Sequence, residues 1–87
     1  MAVLSLMVTK KIADDICYRH RNFDFRLKDK NIRVGDIIHY TAIHRKEIIP
    51  HEITGKRFGV IYVDNDDPRV HKHYSAFTFV EIEPEFE

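Results

Sequence analysis

The sequence predicts an α+β, mainly β, chain with about five strands and one short helix, built as a small barrel-like sheet with the helix closing one end. Three observations carry that expectation. Period-two alternation or β-branched runs recur from Val3 to Ile82, and only one segment repeats its apolar residues at i and i+4. The length of 87 residues leaves room for one domain, 1–87, and no second core.

Taken in order, Val3 to Val8 is apolar with one serine, as suits a strand covered on both faces. Thr9 then caps a helix from Lys10 to Tyr18, with Ile12, Ala13 and Ile16 on one side and Asp14 and Asp15 on the other. Asn22 to Arg26 alternates, and its Phe23 and Phe25 are expected in the core. Lys28-Asp29-Lys30-Asn31 is a polar turn, Ile32 to Val34 re-enters the protein, and Gly35-Asp36 makes a permissive corner before a strand from Ile37 to Ile43. Arg45 to Thr54 reads as a loop that packs down through Ile48 and Ile49, long enough to cover or complete a binding surface. Lys56 to Val63 is a strand in which Phe58, Val60 and Tyr62 share a face. Asp64 to Pro68 is a turn, and Arg69 to Ser75 a loop. Ala76 to Ile82 is a last strand with apolar residues on both faces, followed by an acidic tail from about residue 83.

Composition bounds the function classes. A hydrophobic content of 44% is ordinary for a globular core without staples, and three Gly and three Pro argue against linkers. The single Cys17 has no internal disulfide partner, which fits a cytoplasmic location. The apolar opening is about eight residues and runs into Lys10-Lys11, far short of the roughly 20 a membrane span needs, so no membrane partner is expected. Formal net charge is zero, yet residues 9–33 hold eight Lys/Arg against four acids, while residues 64–87 hold seven acids against two bases. The two ends either form opposite faces or pair with each other.

The segment F-D-F-R-L-K-D-K-N-I-R-V-G-D-I-I, Phe23 to Ile38, resembles the signature of small ASCH-type, PUA-like domains of the kind found in phage and bacteria. That family shows G-K-K-T-F-E-I-R, then K-N-D-R, a spacer and V-G-D, with a later Y-T-G-R matched here by Ile53-Thr54-Gly55-Lys56. The resemblance spans roughly Leu4 to Ile82. It implies a pseudobarrel with an open cleft beside the signature that binds RNA, a nucleotide or a modified base. Arg21, Arg26, Lys28, Lys30 and Lys56 are then candidates for phosphate, and Asp24 for a base amino group. The same charges are equally the ingredients of solvated ion pairs, Arg26 with Asp24 and Lys28 with Asp29. Some domains of this type are amidohydrolases acting on acetylated cytidine through a Lys and a Thr in this strand. Arg21 and Asp24 stand at the matching positions, and an arginine that stays protonated serves neither as base nor as nucleophile, which argues against that chemistry.

No catalytic or metal site is expected elsewhere. Only His71 and His73 have suggestive local spacing among six histidines, and zinc needs three or four convergent ligands. Asp64, Asp66 and Asp67 lack the Gly and terminal Glu of a calcium loop, and Cys17 reads as packing. The leading expectation is a non-enzymatic RNA- or nucleotide-binding module needing no cofactor. The alternatives are a small inhibitory factor of phage or mobile-element type that docks a host protein through Arg45–Thr54 or the acidic tail, and a small amidohydrolase-like enzyme with a relocated site.

Overall fold

The structure, a computed structural model, describes residues 2–83; beyond Glu83, the acidic tail lies outside them. The chain runs β1 (Val3–Thr9), α1 (Lys10–Tyr18), β2 (Phe23–Leu27), β3 (Ile37–His44), β4 (Glu47–Ile48), β5 (Arg57–Asp64) and β6 (Tyr74–Ile82). All strands join one sheet of order β1-β3-β5-β6-β2, with the two-residue β4 added to β3, and the sheet curls into a half-barrel. β1 and β3 are parallel and the other pairs antiparallel. The α+β, mainly β, expectation therefore holds.

The locally encoded elements form for the reasons their residues give. The Thr9 hydroxyl accepts from the Ile12 amide at 3.3 Å, an N-cap that starts α1. Ala13 and Ile16 are buried beneath the sheet, while Lys10–Asp14 and Lys11–Asp15 pair along the outer side. At the Gly-Asp corner, Gly35 adopts φ +93°, a conformation open to glycine and strained for other residues. The buried Asp36 carboxylate takes the Ala2 amide on one oxygen and the Arg33 amide on the other, tying the start of β1 to the corner. The core between sheet and helix is built on Tyr40, Phe58, Phe77, Phe79, Ile38 and Ile53. Tyr40, Phe58 and Phe79 meet with ring centroids 5.1–5.7 Å apart, in tilted or edge-to-face contacts.

Five expectations are corrected. β1 is covered on one face only: Leu6 and Val8 are buried, while Met7 is 57% exposed. β6 is likewise one-sided, with Phe77 and Phe79 inside and Val80 exposed. The Arg45–Thr54 segment is a β-hairpin and a 3-10 turn rather than a loop: Arg45 and Lys46, both at positive φ, form the two-residue turn into β4, and Glu52–Gly55 is helical. Ile49 packs down as expected and Ile53 does so too, but Ile48 points to solvent. In β5 a register shift between Val60 and Tyr62 breaks the alternation, so Phe58 and Val60 face the core while Tyr62 faces out. The fifth correction concerns β2.

Candidate ligand-binding face

β2 is turned the other way from what its phenylalanines suggest. Asp24 is buried, whereas Phe23, Phe25 and Leu27 lie on the outer surface. The inward orientation of a carboxylate is stable because its oxygens are satisfied. Oδ1 accepts from the Phe25 amide at 2.8 Å. Oδ2 accepts from the Tyr40 hydroxyl at 3.0 Å and from the Arg26 guanidinium at 3.2 and 3.3 Å. Burial, and then the Asp24 charge, push the Tyr40 hydroxyl far above its usual range, so it stays protonated and donates. Arg26 Nη2 also donates to the Met7 carbonyl at 2.8 Å, linking the sheet's two end strands, β2 and β1, across the open side of the half-barrel. Asp24, Arg26 and Tyr40 thus form a polar clasp.

The opposite side of β2 is an aromatic face. Phe23 and Phe25 meet edge-to-face at 5.8 Å. Cross-strand register sets Phe23 beside Thr78, Phe25 beside Ala76 and Leu27 beside Tyr74, and places Tyr62 on the far side of Thr78. The small side chains of Ala76 and Thr78 leave a depression of about 610 Å³, walled by Phe23, Phe25 and Tyr62 and by Asp67, Arg69 and Val70 from the β5–β6 connection. A second depression of about 270 Å³ adjoins it, lined by Phe25, Arg69, Val70, His71 and Tyr74. Arg69 grips Asp67 through Nε and Nη2 at 3.1 and 2.9 Å, and this pairing holds the Asp67 carboxyl down to about 2. A side-chain hydrogen bond from Ser75 to Asn65 helps fix the same connection.

The sequence-derived site residues divide into three groups. Asp24 and Arg26 are committed to the clasp. Arg21 lies across the edge of β2: its Nε donates to the Phe23 carbonyl at 2.9 Å, and its guanidinium carbon sits 4.5 Å from the Phe23 ring centroid, framing the aromatic face by a cation–π contact. Lys28 and Lys30 lie in the 3-10 turn after β2, and the Lys28 amide donates to the His73 carbonyl at 2.8 Å, which sets Lys28 beside the β5–β6 connection. Lys56 is elsewhere. Its ammonium binds both Glu81 oxygens at 3.2 Å, at the other end of β6. From Tyr74 to Glu81 is about 24 Å of strand, too far for Lys56 to share a ligand site with Lys28. The side chains not singled out from the sequence are Tyr62 and Tyr74, together with Phe23 and Phe25 in an outer rather than a core position. The available cue was F-D-F-R itself, an alternation compatible with either face inward.

One catalytic-looking pair proves structural. His51 Nε2 lies 2.8 Å from Asp14 Oδ1, but its Nδ1 accepts from the Ile53 amide at 3.0 Å, so both ring nitrogens are engaged in joining the 3-10 turn to α1. Among the described residues no three His, Cys, Asp or Glu side chains converge as a metal would require, and no helix is long and apolar enough to cross a membrane. No protein-family model matches this sequence, and no curated protein matches it.

Proposed function

We propose that this protein is a non-enzymatic module that binds unpaired RNA by stacking bases on the outer face of β2, β6 and β5. The observation that carries the reading is the inversion of β2, which keeps a charged pair inside and leaves two phenylalanines outside. Exposed aromatic rings beside a groove suit unpaired bases, since every base has a π-face. Among the described residues Lys28, Lys30 and Lys72 form no ion pair, and Lys28 and Lys72 line a further depression next to His71, together with Asp66 and Asp67; a phosphate chain would pass on its lysine side. The ASCH/PUA-like resemblance points to the same ligand class. The module would act in the cytoplasm, where RNA and a free thiol coexist.

Titration of fluorescently labelled decanucleotide RNA at about 50 mM salt tests this. The reading requires saturable binding that weakens as salt rises. Binding of a duplex as tight as that of the single strand would contradict it. A second reading, docking of a host protein, is favoured by one observation: Ile48 is 70% exposed beside Arg45 and Lys46 at the tip of the β3–β4 hairpin. A protein that stays bound after nuclease treatment, and is released by Ile48→Asp, would support that reading instead.

A further inference from the structure

Resting on the RNA-binding reading, we infer that the aromatic face takes a dinucleotide step, with one unpaired base on each side of the Phe25 ring. The two depressions on this face are not separate. Phe25, Arg69 and Val70 line both, so Phe25 stands as the wall between them. On the larger side the ring faces ground bounded by Phe23, Tyr62 and the small residues Ala76 and Thr78. On the smaller side it faces His71 and Tyr74, whose rings meet edge-to-face at 6.0 Å.

Neighbouring side chains fix which ring surfaces are available. Arg21 covers the Phe23 ring, so Phe23 acts as a side wall and not as a stacking floor. Tyr62 is 57% exposed and Tyr74 39%, leaving one phenol available in each depression. A base in the larger depression meets Phe25 and Tyr62, and the next base meets Phe25 and Tyr74. The phosphate joining them passes over the crest shared by Arg69, whose Nη1 is not used by Asp67. Beyond the smaller depression, a third one shares Val70 and His71 and carries Lys28 and Lys72 alongside Asp66 and Asp67, so the strand would leave past these two lysines.

The test compares adenosine monophosphate, the dinucleotide ApA and decaadenylate at the same low salt. The monophosphate carries more charge per molecule than the dinucleotide, so charge alone favours the smaller ligand. Two stacking seats reverse that order: ApA should bind roughly tenfold or more tightly than the monophosphate. Tyr74→Ala should bring ApA down towards the affinity of the monophosphate, and Phe25→Leu should weaken both ligands with the circular dichroism spectrum intact. Decaadenylate binding without any advantage of ApA over the monophosphate overturns the two-base seat and leaves the RNA-binding reading standing. No binding of decaadenylate overturns both.

Discussion

Asp24 and Arg26 show how a residue that looks like a ligand contact from its sequence becomes part of the frame. A carboxylate buried at 5% exposure is tolerated because Tyr40, Arg26 and the Phe25 amide use its lone pairs. Removing one partner should therefore act on stability. Arg26→Ala is expected to cost about 2–3 kcal/mol in urea unfolding, a value below that of a fully buried pair because the arginine retains some solvent contact. Tyr40→Phe should cost about 1–2 kcal/mol. The lysines should behave in the opposite way. Lys28→Ala with Lys30→Ala should leave stability within about 0.5 kcal/mol of wild type, yet lower the slope of log affinity against log salt by about 1.4. A double lysine variant with an unchanged salt slope would remove these residues from the interface. Asp67 gives a pH prediction. Its folded pKa of about 2 lies below its ordinary 3.8, so the folded state binds fewer protons and the pairing with Arg69 stabilises above about pH 3.8. The Tm difference between wild type and Asp67→Asn should shrink as pH falls from 3.8 towards 2, and should be constant above that window.

Elements whose cause is local were readable in the sequence. Thr9 caps α1, Ile12, Ala13 and Ile16 give it one apolar side, and Gly35 turns the corner at φ +93°. Gly35→Ala should accordingly destabilise by about 1 kcal/mol or more through backbone strain alone, since a Cβ there meets no atom within 4 Å. The face of β2 was not readable. Alternation divides a strand into two sides without saying which one faces the core. That choice was made by Tyr40 on β3 and by the Met7 carbonyl on β1, which supply partners 16 and 19 residues away in the chain. The register shift in β5 was hidden for a similar reason. Lys56 to Val63 reads as a regular strand, and only pairing with β6 places the extra residue that turns Tyr62 outward. The same two distant effects assemble the aromatic face, so the candidate site was less legible than the fold.

For the molecule as a whole, zero net charge gives no general attraction to RNA, so the proposed affinity would have to arise from stacking and a few local cations. The half-barrel divides the labour. Its concave side holds the core and the Asp24 clasp, while its convex side over β2, β6 and β5 carries the rings and Lys28. Folding stability and RNA affinity should then be separable by mutation. The most direct measurement is fluorescence anisotropy of labelled decaadenylate with wild type, Phe25→Ala and Arg26→Ala at about 50 mM salt, under conditions where each variant is folded. Stacking on the outer face predicts a loss of roughly tenfold or more for Phe25→Ala and little change for Arg26→Ala. Equal affinities for wild type and Phe25→Ala, with a large loss in Arg26→Ala, would place the ligand at the clasp and contradict the proposed face.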